Sequence, residues 1–311
     1  MINGTITEDK KTICESFNDY YINIGPTLAN KIPKFARSAI SYMPPANTKS
    51  IFLDPVSNTE IEKLILLMKN SSAGWDEIDS KILKQTYGIY LHILVHLINL
   101  SLKEGIFPNQ LKLARVVTIF KSEDKMLLNN YRPVSVLPLL SKLYERVMYN
   151  RLIDFINKHK LLYKFQFGFR EQHGTEIALI ILIDKIMQAF NEGEIVLGVF
   201  LDLSKAFDTV NHDILLHKLY HYGIRGIAYE WLKSYLSNRK QYVMFDDCSS
   251  GQKVVKCGVP QGSILGPLLF LLYVNDMVNA SGRLFFYPRC RRHKRFYNRK
   301  KFELTHRNNE H

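Results

Sequence analysis

Residues Ile195 to Leu203 read IVLGVFLDL, an apolar run of strand length that ends on a carboxylate. The run predicts a buried strand, and an aspartate at the end of such a strand is costly to bury unless something pairs with it. Asp202 holds that position, and Asp208 follows six residues later. Two uses of Asp202 stand side by side at this point. It can cap the helix that leaves the strand, or it can be one of several carboxylates around a hard divalent cation. A cation of that kind needs convergent oxygen ligands, so the second use requires another acidic cluster elsewhere in the chain.

Around this run the pattern alternates between helical periodicity and short strands. One helix is expected within residues 1–35, carried by Ile13, Phe17, Tyr20, Tyr21 and Ile24 and interrupted by Pro26 and Pro33. A polar, proline-containing linker runs from Ser38 to Pro55. Helices are expected from Asn58, over Ile82 to Leu102 with a stop at Gly105, and over Leu139 to His159. Further helices are expected over Ile177 to Phe190, Ser204 to Leu219 and Tyr229 to Leu236. Ala114 to Phe120 (ARVVTIF) reads as a strand leading through a polar turn into Tyr131-Arg132-Pro133. Gln241 to Phe245 and Gln252 to Cys257 read as a strand pair. Gly258 to Met277 opens as a Gly/Pro loop and continues as an apolar helix. The mixture predicts an α+β fold, not a doubly wound sheet.

Two further segments carry polar chemistry. Cys257-Gly258-Val259-Pro260-Gln261-Gly262-Ser263 sets one glutamine among two glycines and a proline. It is either a loop whose backbone approaches a ligand or a helix entry capped by Ser263. Lys121 and Arg132 flank a strand and turn. They suit a triphosphate as a pair, or they are solvated loop cations.

The 311 residues carry 42 Lys and Arg against 29 Asp and Glu, a net charge of +13 that points to a polyanionic partner. The four cysteines, Cys14, Cys248, Cys257 and Cys290, contain no CxxC pair, which fits neither a disulfide framework nor a zinc site. MINGTITEDKK has no apolar core of a secretory signal, so an intracellular setting is expected, cytoplasmic or nuclear. No apolar run reaches the length of a membrane span.

YRPVSVLPLLSKLYERVMYNRL, QFGFREQHGT, VFLDLSKAFDTVNHDILLHKL and GVPQGSILGPLLFLLYVNDM follow one another in this order. Together they closely resemble the reverse transcriptase domain of non-LTR, jockey-like retrotransposons. SAGWDEIDSKILKQ and LKLARVVTIFK resemble earlier pieces of that domain, and the likeness covers about residues 10–286. The group II intron-type enzymes are similar in these motifs but less so. The resemblance implies a right-hand polymerase fold with fingers, an incomplete palm and no thumb. Residues 1–56 would be a helical connector, 57–286 fingers and palm, and 287–311 an aberrant, disordered basic tail.

It further implies RNA-directed DNA polymerisation by two Mg²⁺ ions, with RNA template, DNA primer and deoxynucleoside triphosphates as partners. Asp202 would be the first catalytic, metal-binding carboxylate, with the backbone carbonyl of Leu203 beside it. Phe207 would be the gate against a ribose 2′-hydroxyl. Lys121 and Arg132 would hold the triphosphate, and Gln261 and Gly262 would form the template-and-nucleotide loop.

One part of the pattern is missing. The family's second acidic cluster, Ala-Asp-Asp-Thr, is due near Arg291 and Arg292, where the chain reads Arg289-Cys290-Arg291-Arg292-His293-Lys294-Arg295. Cations there repel a metal ion. One permitted codon spelling of Cys290 to Glu310, read one base later, gives ADDTNVFITGKNLNSLIEIMN, which matches the family's continuation. A frameshifted, truncated and inactive copy is therefore expected. The alternatives are a non-catalytic RNA-binding remnant and an active polymerase whose sequence carries a frameshift error.

Overall fold

The structure is a computed structural model that describes residues 7–33, 38–170, 173–198, 201–203 and 205–280. The expected basic tail, 287–311, and the expected place of the second acidic pair lie outside the described residues. The chain divides into two compact units, one running to Lys164 and resuming at Ile195, the other containing Phe165–Glu194.

In the first unit a mixed sheet is crossed by an N-terminal helix. Helix α1, Lys10–Ala29, starts where Asp9 accepts the Thr12 amide at 2.9 Å, and Pro26 lies inside it. Cys14, Phe17, Asn18, Tyr21 and Ile24 recur at helical spacing and form its buried face. Strand β1, Leu113–Phe120, pairs antiparallel with β2, Tyr131–Val136, with Ile119 opposite Arg132. It also pairs parallel with β3, Lys240–Phe245. The short β4, Cys248–Ser249, and β5, Lys253–Val254, both pair antiparallel with β3, giving five strands among the described residues. Phe17, Tyr21 and Ile24 pack on Val116 and Val243 of this sheet, so residues 10–29 share its core.

Six further helices complete the larger unit's framework. Helix α2 is Asn58–Leu66, and α3 is Ser80–Glu104, capped by Asp79 and closed by Gly105 in the left-handed region. Helix α4 is Leu139–Lys158. In the second unit α5 is Thr175–Asn191. Back in the first, α6 is His212–His221, α7 is Ile227–Leu236 and α8 is Leu265–Val274. Phe107, Trp231 and Tyr235 form a second aromatic core, with the Trp231 indole donating to Ser101 Oγ at 2.9 Å. Helix α8 is apolar on nearly every side and almost wholly buried. Lys218 and Asp276 make a buried ion pair where α6 meets the turn after α8.

Two expectations are corrected. The described residues between Ile195 and Leu203 form no strand, and Ile195 is 98% exposed, Leu197 86% and Leu201 69%. A strand holds only when neighbours satisfy its backbone groups, and no described strand lies beside this one. The helix expected over Ser204 to Leu219 begins only at His212, because residues 205–209 form turns and Asn211 supplies the cap. The α+β composition itself stands, with eight helices and one mixed sheet among the described residues.

Candidate nucleotide-binding site

The loop from Cys257 to Ser263 is folded onto the protein's own backbone. Gly258 and Gly262 adopt φ values of +86° and +134°, conformations that favour glycine. The amides of Gly258 and Val259 donate to the carbonyls of Val210 and Phe207, each at 2.8 Å. On the other side Ser135 of β2 donates its amide to the Gln261 carbonyl at 2.8 Å. A Cβ on Gly262 would lie 2.3 Å from the Ser135 oxygen. The close approach anticipated for a ligand is thus made first by the 205–210 turn and by β2.

This arrangement aims the Gln261 side chain at Asp208, with Nε2 donating at 2.8 Å to both carboxylate oxygens. Burial pushes the Asp208 carboxyl upward, and Gln261 and Lys205 pull it back. His212 donates from Nε2 to the Gly258 carbonyl at 2.7 Å, and burial holds its ring below the usual histidine range. Behind the loop the fully buried Glu145 accepts the amides of Ile264 at 2.6 Å and Leu265 at 3.2 Å, at the start of α8. Ser263 Oγ accepts the Gly266 amide at 3.0 Å, as expected of a helix entry, while the Gln261 side chain is taken up by Asp208. Burial raises the Glu145 carboxyl, while Arg239 and the two amides oppose that rise.

The two hairpin cations sit close by. Lys121 follows β1, its amide donating to Asn130 at 2.9 Å, and Arg132 lies on β2. A third cation joins them. Lys205 is half-buried, burial lowers its pKa, Asp208 opposes this, and the charges of Lys121 and Arg132 lower it further. Its ammonium stands 5.7 Å from the ring centre of Tyr20 on α1. Phe207 stacks on Phe270 of α8, 5.1 Å between centroids. Asp202 and Leu203 do not join a sheet, and both are exposed. No group of three or more His, Cys, Asp or Glu residues suited to a metal ion occurs among the described residues.

Comparison with known proteins matches residues 119–285 to the family described as "Reverse transcriptase (RNA-dependent DNA polymerase)". The chain belongs to the reverse transcriptase family. It is 36% identical over 230 residues to the RNA-directed DNA polymerase from mobile element jockey of Drosophila funebris, covering 73% of this chain and 25% of that one. The corresponding jockey protein of Drosophila melanogaster is 35% identical over 243 residues, covering 78% and 26%. The probable RNA-directed DNA polymerase from transposon BS of the same fly is 35% identical over 234 residues, covering 72% and 25%. The chain therefore spans about a quarter of the length of these relatives, and the likeness places it with the jockey-like non-LTR retrotransposons.

Reverse transcriptases generally use divalent metal ions. Of the residues singled out in this reverse transcriptase domain, Gln261, Gly262, Lys121 and Arg132 gather around β2 and the 205–210 turn. Lys205 escaped sequence reasoning, which noted Asp208 and Tyr20 without the contacts they make here. A lone lysine between two aspartates in DLSKAFD was an available signal for Lys205. Nothing local pointed to the contact of Tyr20, which lies 185 positions before Lys205. No described helix is long and apolar enough to cross a membrane.

Proposed function

We propose that this chain is the fingers and an incomplete palm of a retrotransposon reverse transcriptase, and that it does not catalyse nucleotidyl transfer as written. Lys121, Arg132, Gln261 and Gly262 serve a deoxynucleoside triphosphate in this reading, Phe207 faces the sugar, and RNA template with DNA primer lies alongside. The cluster of hairpin cations and the glutamine loop around one turn supports the assignment.

The observation that carries the loss of activity is chemical. A two-ion Mg²⁺ centre needs convergent carboxylates. Asp202 and the carbonyl of Leu203 offer an exposed, single-carboxylate set. The positions due to supply the partner carboxylates carry Arg289, Arg291, Arg292, Lys294 and Arg295. This donor set does not fit the ions.

Primer extension on an RNA template with Mg²⁺ is the direct test. No product above background is expected, and template-dependent synthesis by the purified chain overturns the proposal. The frame-shifted decoding of Cys290 to Glu310 as ADDTNVFITGKNLNSLIEIMN favours a second reading, an active polymerase behind a one-base error. Genomic sequence across codons 286–291 decides it: a single base that restores Ala-Asp-Asp-Thr and an open frame selects the active enzyme.

A further inference from the structure

The first half of α1 grips the β3–β4 hairpin at several points. Lys10 pairs with Asp246 at 3.2 Å, Lys11 donates to the Ser249 carbonyl at 2.8 Å, and Glu15 accepts the Gly251 amide at 2.6 Å. Between these contacts the Cys14 thiol donates to the Cys248 carbonyl at 3.2 Å and lies 4.0 Å from that of Phe245. Two free cysteines therefore meet at one place, although 234 positions separate them and no CxxC spacing announces the pair. The strand register fixes which way Cys248 points. Phe245 and Cys248 stand directly opposite each other in the antiparallel β3–β4 pair, and residues so placed share one face of a sheet. Phe245 packs on the α1 side, its ring 6.1 Å from that of Phe17. The Cys248 side chain is thus directed to the same side as Cys14. Cys14 is fully buried, whereas Cys248 is partly exposed. Burial pushes the Cys14 thiol up and keeps it protonated, so a soluble oxidant meets Cys248 first.

We propose that Cys14 and Cys248 form a reversible disulfide that fastens α1 to the β3–β4 hairpin under oxidising conditions. The oxidant is a small-molecule disulfide, with oxidised glutathione as its representative. The Cys248 thiolate attacks one sulfur of that molecule. A bond forms between the two sulfurs, the S–S bond of the oxidant breaks, and one glutathione leaves. Cys14 then gives its proton to solvent and attacks the Cys248 sulfur, and the second glutathione leaves. Both cysteines are oxidised, the chain loses two hydrogens, and one glutathione disulfide is reduced to two thiols. The bond closes a loop spanning 234 positions, and links that close long loops restrict the unfolded chain most. Helix α1 lies before the residues that match the family, 119–285, and β3 and β4 lie within them. The disulfide therefore ties a segment outside the match to the sheet inside it.

The folded full chain is incubated with oxidised glutathione, quenched with a thiol-blocking reagent and mapped by peptide mass spectrometry without reduction. The expected product is a Cys14–Cys248 linked peptide, two hydrogens lighter than its separate parts, with Cys257 unlinked. The oxidised protein is expected to melt roughly 5–10 °C above the reduced one, and dithiothreitol reverses both changes. C248S is expected to lose the linked peptide and the shift in melting. C14S is expected to stop at a mixed disulfide of Cys248 with one glutathione, which marks Cys248 as the sulfur attacked first. C14A replaces C14S should that variant unfold. If oxidation of the folded chain leaves Cys14 free, or links it to Cys257 or Cys290, the proposal is overturned. A linked peptide that forms only in denaturant overturns it as well, because the fold would then not bring the two thiols together. A linked peptide with no rise in melting temperature overturns the fastening of α1.

Discussion

At the scale of single residues, the site depends on positions where a side chain does not fit and on groups whose charge is held down. Gly262 has both a left-handed φ and the Ser135 carbonyl where its Cβ would stand. G262A is expected to lower unfolding stability by about 1–3 kcal/mol, read from urea midpoints, and to weaken triphosphate binding as the loop lifts from β2. Unchanged stability would mean that the loop shifts freely.

His212 gives a pH dependence with a definite sign. Burial keeps its ring below the usual histidine range in the folded chain, so the unfolded chain binds the extra proton more readily. That contribution to stability is present above the unfolded pKa and is lost as pH falls through the lower folded value. Thermal melts from pH 7.5 downward are expected to show the wild type losing ground relative to H212Q, whose amide can still donate to Gly258. Parallel curves for the two proteins would remove the assignment.

At the scale of elements, α1 is the part whose importance exceeds its sequence signal. Its periodicity marks a helix, and its face meets β1 and β3 through Phe17, Asn18 and Tyr21. Asn18 donates to Ser250 Oγ at 2.9 Å and to the Gly251 carbonyl at 2.8 Å. Phe17 lies 5.0 Å from the Tyr131 ring and 5.7 Å from Tyr21. F17A is expected to cost about 3–5 kcal/mol, in the range of a buried phenylalanine. A loss below about 1 kcal/mol in chemical denaturation, typical of a surface change, would show that α1 is dispensable to the sheet.

The segment 195–203 makes the opposite case. Its residues favour a strand, and its described residues, 195–198 and 201–203, lie beside no described strand, so the preference has nothing to act on there. Helices α3, α4 and α7 were legible because periodicity, caps and stops are local. The strand was not, because pairing belongs to two segments at once.

At the scale of the whole molecule, the charge divides unevenly. From Arg283 onward there are ten Lys and Arg against two Glu, so +8 of the total +13 falls there and +5 in residues 1–282. A chain ending at Gly282 is expected to keep salt-dependent RNA binding through the hairpin cations, with a shallower slope of log affinity against log salt. Complete loss of binding on that deletion would assign the nucleic-acid affinity to the tail.

The sequence by itself determined the family, the mixed α and β composition, the order of the motifs and the absence of the second acidic pair. Each of these is a matter of residue identity, spacing or local periodicity. Only the tertiary structure decided that Gln261 holds Asp208, that Glu145 caps α8 and that Tyr20 carries Lys205. It also decided that the described residues of the run around Asp202, 195–198 and 201–203, form no strand. These partners lie 53, 119 and 185 residues apart for the three contacts. Contacts over such distances depend on how the helices and the sheet pack, a property that no single segment contains.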